Sequence, residues 1–256
     1  MKKITFADIY TPQLLKANPE KIYVFGDNLI KKGTGGQACI RNLPNAFGVP
    51  TKRLPNNENE SFFSDQEDEK EAVLVSLREL YILRMKGKEI VFPSSFIGTG
   101  RALLSLRSPK LWIELTNVLD RHFFDVQGIR VAVVGSRNFS NYNFAKKGFD
   151  YIRDEYQSKN KEFSLIVSGG ASSGGDLYAE RISAEERIPK RIYKADWDYF
   201  GKKAGMYRNP SIVLNADVVI AFWDGKSSGT KNAIETFKKY KGEEHLHIVL
   251  GKSNRK

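Results

Sequence analysis

Short apolar segments recur along the chain and predict a set of β-strands. Most of them are apolar at every position, which is typical of parallel strands buried on both faces of a sheet. The segments cover residues 22–25, 90–92, 129–134, 165–167, 191–193, 218–222 and 247–250.

In the second half of the chain these strands alternate with helical patterns, and such alternation predicts an α/β fold with a parallel sheet flanked by helices. The helical patterns there cover 143–158, 174–187, 209–215 and 229–241, and two others precede them at 67–85 and 111–119. We therefore expect two α/β domains, of which the C-terminal one is Rossmann-like.

The segment 124–128 separates the last helical pattern of the first half from the first strand of the second. A chain of 256 residues has the length of two ordinary domains, and we place them at residues 1–125 and 128–256. The polar stretch 54–61 is expected to be an exposed loop. Residues 50–53 and 61–65 have a distinctive composition, but the sequence indicates no role for them.

The composition is that of a folded globular protein, with 41% hydrophobic and 28% charged residues. No apolar run reaches the length of a membrane span or a signal peptide, so we expect a cytoplasmic protein without a membrane partner. Cys39 cannot form an internal disulfide framework. The three histidines, His122, His245 and His247, have no metal-ligand spacing, so we expect neither a metal nor a cofactor.

The net charge of +11 favours an anionic partner. It does not identify that partner, because most of the lysines are spread along helices and the C-terminal tail, as on solvated faces. Nucleic acid is therefore the less favoured partner, and a homo-oligomer remains open.

Small residues follow three strands of the C-terminal domain. Gly135 lets an anion approach the backbone, Ser136 can donate a hydrogen bond, and Arg137 carries a fork of donors that matches phosphate. The glycine- and serine-rich stretches 168–176 and 224–230 each open a helix, whose N-terminus attracts anions. Such loops gather at one edge of a parallel sheet, so we expect one shared site. Its candidate ligand-binding residues are Gly135, Ser136, Arg137, Gly169, Gly170, Ala171, Gly174, Asp176, Arg208, Asn209, Ser228, Gly229 and Thr230.

Structural roles are the alternative for these residues. Strand-end glycines form turns, and Asp176 can stabilise the first turn of its helix. Arg208 and Asn209, which we place near a helix start, fit either a phosphate or ribose contact or a salt bridge and cap. Three aromatic residues fit either stacking on a base or burial in the core: Trp197, Tyr207 and Trp223.

The series of loops resembles the SLOG superfamily, most closely its small uncharacterised bacterial and phage branch, from about residue 130 to residue 241. The matching motifs are Gly135-Ser136-Arg137, Ser168-Gly169-Gly170-Ala171 with Gly174 and Asp176, Ala195-Asp196-Trp197, Gly201-Lys202-Lys203-Ala204-Gly205 with Arg208-Asn209, and Ala221-Phe222-Trp223-Asp224-Gly225 with Ser228-Gly229-Thr230. The resemblance implies a Rossmann-like fold and nucleotide-type ligands. The superfamily includes the lonely-guy phosphoribohydrolases, which cleave adenine from a nucleoside monophosphate, and the DprA proteins, which bind single-stranded DNA.

The chain departs from the lonely-guy motif Pro-Gly-Gly-x-Gly-Thr-x-x-Glu. Gly229 and Thr230 are present, but Ala233 stands where that motif has its glutamate, and Glu235 would point elsewhere on the helix. Phosphate binding is therefore expected, and glycosidic cleavage is not.

A second glycine-rich constellation lies in the N-terminal domain. Asp27 and Asn28 follow a strand and precede the glycines of 33–36 and an expected helix, and Arg101 follows a second glycine loop in a position to face a diphosphate. Turn formation is the alternative role. The arrangement resembles, more weakly, the ADP-ribose-binding macrodomains, although their adenine-binding aspartate has no clear counterpart. On that resemblance, with Arg101 added, the ligand is lined by Asn28, Gly35, Gly36, Gly98, Thr99, Gly100 and Arg101.

These features favour a protein that binds, senses or sequesters a nucleotide-derived signal, such as an ADP-ribose derivative or a cyclic nucleotide, in bacterial or phage nucleotide signalling. The alternative is a hydrolase, an N-glycosidase or phosphodiesterase, acting on a similar molecule. Its candidate catalytic residues are Asp27, Asp176, Glu180 and Glu235. A third function, single-stranded nucleic-acid binding, is suggested by the positive charge and the resemblance to DprA.

Overall fold

The computed structural model describes residues 4–251. The chain divides into two compact units, Met1–Asp125 and Val126–Lys256. Each unit contains a parallel β-sheet with flanking helices, so the predicted α/β fold class is confirmed. Among the residues described, no helix is long and apolar enough to cross a membrane.

The described part of the N-terminal unit is built on four strands, β1 (Ile4–Ala7), β2 (Lys21–Asn28), β3 (Ala46–Lys52) and β4 (Glu89–Pro93). They form a sheet in the order β1-β4-β2-β3, with every neighbouring pair parallel. Its helices are α1 (Pro12–Lys16), α2 (Glu67–Met85), α3 (Leu104–Arg107) and α4 (Pro109–His122), with 3-10 helices at Gly36–Ile40 and Asn59–Ser61. The buried Tyr10 hydroxyl joins two strands, because it donates to the carbonyls of Val24 and Val91 at 2.8 and 3.0 Å.

Two strands of this unit, β1 and β3, have no counterpart in the sequence prediction. Gly48 and Pro50 both lie in β3, and such residues normally argue against a strand. However, β3 lies at the edge of the sheet, where proline's missing N–H costs little. A Cβ at Gly48 would fall 2.4 Å from a carboxylate oxygen of Asp27, so the Asp27 side chain occupies the space that a side chain at position 48 would need.

The helix expected after the glycines of 33–36 is instead a five-residue 3-10 helix, Gly36–Ile40. Gly33 and Gly36 have positive φ, and Pro44 follows closely. Since the residue before a proline is disfavoured in helical conformation, the segment is too short to form an α-helix. By contrast, the helix expected at 67–85 is confirmed: α2 spans the same residues and begins with a reciprocal capping box between Gln66 and Glu69.

Up to residue 251, the C-terminal unit contains five strands, β5 (Ile129–Gly135), β6 (Phe163–Ser168), β7 (Lys190–Ile192), β8 (Val218–Trp223) and β9 (Leu246–Leu250). They form an all-parallel sheet in the order β7-β6-β5-β8-β9. Its helices are α5 (Tyr142–Gln157), α6 (Gly174–Glu186), α7 (Trp197–Phe200), α8 (Ala204–Val213) and α9 (Ser228–Lys241), with a 3-10 helix at Gly201–Lys203.

Apolar side chains on one face of this sheet form a continuous core with α5 and α6. Val133 and Phe222 from the strands pack with Phe149 and Ile182 from these helices. The neighbouring strand residues Ala132 and Ala221 point to the opposite face by strand alternation and are also fully buried. Helices α8 and α9 pack against each other and against the strands, which completes the second layer.

The strand order places a topological switch point between β5 and β8. The chain proceeds from β5 to β6 and β7 on one side and from β8 to β9 on the other. In open parallel sheets the connecting loops then diverge, and they leave a crevice at the carboxyl ends of the two central strands.

Arg208 and Asn209 lie inside α8, so the expectation that they stand near a helix start is wrong. The helix begins at Ala204 and contains Pro210 in its interior. Proline is common in the first turn, which is why the sequence pattern places the helix start too late.

Candidate functional site

A cleft of about 1250 Å³ opens at the switch point of the C-terminal sheet. Its walls come from the residues after β5 and β6, from α8, and from the loop between β8 and α9. The lining includes Gly135, Arg137, Ala171, Asp176, Arg208, Asn209, Ser228, Gly229 and Thr230, as well as Asn138, Trp197, Lys202, Asp224 and Lys226. The structure therefore brings the three small-residue loops of the sequence prediction to one place.

Ser136 links the ends of the two central strands. Its hydroxyl donates to Asp224 Oδ1 at 2.9 Å and lies 3.3 Å from Thr230 Oγ1, whose hydroxyl also donates to Ser227 Oγ at 3.2 Å. Ser136 and Thr230 are both buried. Their hydroxyls thus hold the loop in place, and a ligand would meet the backbone around them.

Asp224 organises the turn between β8 and α9. Its Oδ1 accepts the amides of Lys226 and Ser227 at 3.0 and 2.8 Å. Burial works against the charged form, but the hydrogen bonds from these amides and from Ser136 outweigh it and hold the pKa of Asp224 below its ordinary value. The carboxylate is therefore committed to shaping the loop.

The N-terminus of α9 faces the cleft with backbone amides that have no partner among the described residues. Ser227 caps the helix by accepting the amide of Thr230 at 3.4 Å, while helix geometry gives the amides of Ser228 and Gly229 no partner within the helix. A Cβ at Gly229 would meet no atom within 4 Å. Because these amides and the helix dipole favour negative charge, this end of the cleft suits a phosphate group.

Several glycines of the 168–176 stretch serve packing. A Cβ at Gly175 would lie 2.3 Å from the amide nitrogen of Gly135, and one at Gly174 would lie 2.1 Å from the carbonyl oxygen of Ser136. Gly169 lies under the guanidinium of Arg208, which would overlap any side chain there. At these positions glycine allows α6 and α8 to approach the strand ends.

Arg208 and Asp176 form an ion pair in the wall of the cleft, with Arg208 Nη1 3.6 Å from Asp176 Oδ2, and both side chains are nearly buried. Burial raises the pKa of Asp176, although Arg208, the amide of Ala171 and Arg137 act in the opposite direction. Burial also disfavours the charged form of Arg208 and therefore lowers the pKa of its guanidinium. Arg208 Nη1 also donates to the carbonyl of Tyr193, but its buried Nε has no hydrogen-bond partner among the described residues.

The mouth of the cleft carries positive charge and an exposed aromatic ring. Trp197 is 48% exposed, and the guanidinium of Arg137 lies 5.9 Å from its ring centroid. The charged side chains that line the cleft are four cations, Arg137, Lys202, Arg208 and Lys226, against two carboxylates, Asp176 and Asp224. The site therefore combines anion attraction with a surface on which a base can stack.

Of the four candidate catalytic carboxylates, Asp176 alone lines this cleft. Glu180 bonds to Lys190 at 2.7 Å, and Glu235 is an exposed residue 3.7 Å from Lys231 on the outer face of α9. Lys202 and Lys226 lie within the quoted motifs and loops, but the sequence did not identify either lysine as a candidate ligand-binding residue. A lysine in a surface loop gives no signal of its own until the fold places it beside an anion-binding backbone.

Asn209 and the other aromatic candidates have structural partners. The Asn209 amide donates to the carbonyl of Gly229 at 3.0 Å and so joins α8 to the start of α9. Tyr207 packs edge-on against Phe200, and the indole of Trp223 donates to the carbonyl of Ser227 at 3.2 Å. Of the three aromatic residues, only Trp197 lines the cleft.

In the N-terminal unit, Asp27 and Asn28 are buried and take part in local structure. Asp27 forms an ion pair with Arg41. The Asn28 side chain donates to the carbonyl of Lys32 at 2.8 Å and accepts its amide at 3.2 Å, so it closes the loop before the glycines. These contacts match the turn role that the sequence left open.

The loop after β4 is similarly held by its own backbone. Gly98 has a φ of +80° and its carbonyl accepts the amide of Leu104 at 2.9 Å, while the Thr99 hydroxyl donates to the carbonyl of Ser95 at 2.7 Å. Gly35, Gly36 and Gly100 have open space around their Cα atoms. In residues 4–251 no group of three histidine, cysteine or acidic side chains is placed to hold a metal ion.

The fold and the site together define an α/β protein of two units, the second with a ligand-sized cleft at a Rossmann-like switch point. Residues 5–118 match a family model described as a family of unknown function (DUF7831). The chain is 32% identical over 116 residues to the Gene 61 protein of Mycobacterium phage D29, an alignment that covers 43% of this chain and 89% of the phage protein. At this identity and coverage of the phage protein, the chain belongs to the same family as that protein. No solved structure matches it.

Proposed function

We propose that the C-terminal unit binds a phosphate-bearing ligand derived from a nucleotide, such as an ADP-ribose derivative or a cyclic nucleotide, and that the protein senses or sequesters it. One observation carries the proposal. Four cationic side chains, the N-terminus of α9 and the exposed ring of Trp197 meet in a single cleft at the switch point. Ligands of open α/β sheets bind at this location.

Each part of the cleft suits a different part of such a ligand. A phosphate fits the free amides of Ser228 and Gly229, with the guanidinium of Arg137 as a second donor. The exposed face of Trp197 fits a base. The unpartnered Nε of Arg208 offers a buried donor, whose desolvation a ligand oxygen would offset.

The resemblance to the SLOG superfamily is consistent with this proposal. The quoted motifs fall at the strand ends and helix starts that surround the cleft, and the sheet has the central-strand arrangement of a doubly wound fold. We infer that the C-terminal unit is a SLOG-type nucleotide-binding domain and that the chain acts in nucleotide signalling.

Calorimetric titration of the full chain with ADP-ribose, cyclic AMP, AMP and a single-stranded oligonucleotide tests the proposal. We expect saturable binding of a small nucleotide, weakened about tenfold or more by Arg137→Ala through loss of a charge-assisted phosphate contact. Arg181→Ala is the matched control, because it removes the same charge from an exposed site on α6. Equal loss in both variants, or binding of the oligonucleotide alone, would refute the proposal.

A hydrolase acting on such a nucleotide is the second candidate, favoured by the raised pKa of Asp176 in the cleft wall. A carboxyl that holds its proton nearer to neutral pH can serve as a general acid. Mass spectrometry after prolonged incubation distinguishes the two functions. Release of free base or of an opened phosphodiester that disappears in Asp176→Asn would establish hydrolysis, and recovery of the intact nucleotide supports binding.

A further inference from the structure

The segments 50–53 and 61–65 pack together at the carboxyl end of β3. Lys52 ends this strand and pairs with Phe62 in an isolated antiparallel bridge. The ammonium of Lys52 lies 4.3 Å from the Phe62 ring centroid, and the residue is only 8% exposed. A lysine at the end of a parallel strand is thus drawn into the protein and held over an aromatic face.

Among the described residues, the hydrogen-bond partners of the buried ammonium are neutral oxygens. It donates to the carbonyl of Asn56 and to Asn57 Oδ1, the latter at 3.2 Å. Within the described part of the chain, no carboxylate lies within ion-pair distance of Lys52. Burial and then the positive charge of Arg101 lower the pKa of this lysine, so its environment disfavours the charge that it carries.

Arg107, at the end of α3, lies over the same ring. Its guanidinium carbon is 4.8 Å from the Phe62 centroid, so the cationic centres of Arg107 and Lys52 lie within 9.1 Å of each other, the sum of their distances to the centroid. Arg107 is exposed and, across residues 4–251, it also has no carboxylate within ion-pair distance. Two like charges are therefore held together without a negative partner from the described chain.

The adjacent Arg53, by contrast, is paired with two carboxylates. Its guanidinium bonds to both oxygens of Asp68 and to Glu69 Oε1, all at 2.8 Å. The neighbouring Lys52 has no such carboxylate partner among the described residues. An anion brought from outside would offset the repulsion between Lys52 and Arg107, and would add the bidentate geometry that an arginine fork offers to phosphate.

We propose that Lys52 and Arg107 form a second binding site that takes a phosphate or diphosphate group at the carboxyl edge of the N-terminal sheet. This site belongs to the N-terminal unit, and it is independent of the nucleotide cleft proposed for the C-terminal unit. Its ligand is identified by chemistry alone: a compact dianionic or trianionic group that Arg107 meets at the surface and Lys52 from below.

Titration of the full chain with inorganic pyrophosphate, in an Arg137→Ala background that weakens the other cleft, tests this proposal. We expect saturable binding, weakened at least about tenfold by Arg107→Gln, since one charge-assisted phosphate contact is lost. Arg78→Gln is the control, because it removes the same charge from an exposed position on α2. Arg107 is exposed, so its variant should fold with an unchanged thermal midpoint.

A second measurement locates the site directly. Pyrophosphate should shift the side-chain Nε–H resonance of Arg107 and the ring resonances of Phe62 in the full chain. Absence of saturable binding in the Arg137→Ala background, equal weakening by Arg78→Gln, or shifts confined to the C-terminal unit would each overturn the proposal. None of these outcomes bears on nucleotide binding by the chain with Arg137 intact.

Discussion

Substituting Gly175 and Gly229 by alanine should separate packing glycines from ligand-facing glycines. Each is the second residue of its helix, α6 or α9, so the change in helix propensity is matched. The surroundings differ. A Cβ at Gly175 would lie 2.3 Å from the amide nitrogen and 2.5 Å from the Cα of Gly135, whereas one at Gly229 would meet nothing within 4 Å.

Both contacts at Gly175 are backbone atoms, which cannot rotate away as a flexible side chain would. Helix α6 must move off the end of β5, and overpacking of this kind costs about 1 to 3 kcal/mol. For a unit of this size we expect the thermal midpoint to fall by about 4 to 11 °C. Gly229→Ala should leave the midpoint nearly unchanged, because alanine is tolerated in the first turn and its methyl group points into open space.

For nucleotide binding, Gly229→Ala should be the variant with the marked effect. The methyl group of Gly229→Ala projects beside the amides that we assign to phosphate, so it should weaken nucleotide binding about tenfold or more without destabilising the fold. Differential scanning calorimetry and titration calorimetry on both variants measure the two effects. If Gly175→Ala is as stable as the unmodified chain, or if Gly229→Ala binds the nucleotide normally, the division into packing and ligand-facing glycines is wrong.

Three further perturbations have definite expected outcomes. Glu69→Ala should destabilise the N-terminal unit by about 3 to 5 kcal/mol in chemical denaturation, because this fully buried carboxylate pairs with Arg53 and accepts the amides of Ser64 and Gln66; a loss below 1 kcal/mol would contradict this role. Asp217→Asn should flatten the acid dependence of stability. Burial opposes the charge of Asp217, yet the hydrogen bonds and ion pair with Arg130 lower its pKa in the folded state. The contribution of Asp217 to the free energy of unfolding is therefore complete above its unfolded pKa and is lost as pH falls through its folded pKa. An unchanged slope of the unfolding free energy below pH 4 would contradict this prediction. Thr230→Val should cost about 1 kcal/mol in thermal unfolding, since it removes the buried hydroxyl between Ser136 and Ser227, and no loss would show that this network is dispensable.

The sequence predicts those elements whose patterns are local. The helix at 67–85 has the same bounds in the structure because its capping box and its run of good helix formers are contained within it. Most strands of the C-terminal sheet are predicted because their central residues are apolar, as in β5 and β8. In contrast, β3 contains Gly48 and Pro50, and only its place at the edge of the sheet makes these residues acceptable.

The site was predictable in its location but not in its internal contacts. Parallel strands deliver their loops to one edge, so the convergence of three glycine-rich loops follows from the fold class. The bond from Ser136 to Asp224 joins residues 88 positions apart, and no local pattern distinguishes a serine that holds a loop from one that meets a phosphate. The same holds for Gly169, whose lack of a side chain is explained by Arg208 on a later helix.

The contacts of Asp176 bear on whether the cleft binds or cleaves its ligand. Both partners of its Oδ2, the amide of Ala171 at 3.2 Å and the guanidinium of Arg208 at 3.6 Å, are donors. Donors stabilise the ionised carboxylate, whereas a general acid must hold a proton, so these contacts oppose the effect of burial on the pKa of Asp176. The ion pair with Asp176 keeps Arg208 fixed over Gly169, with the Nε of Arg208 available in the cleft wall. This arrangement positions the cation of Arg208 to bind an anionic ligand. We therefore expect the nucleotide to be recovered intact after incubation with the protein.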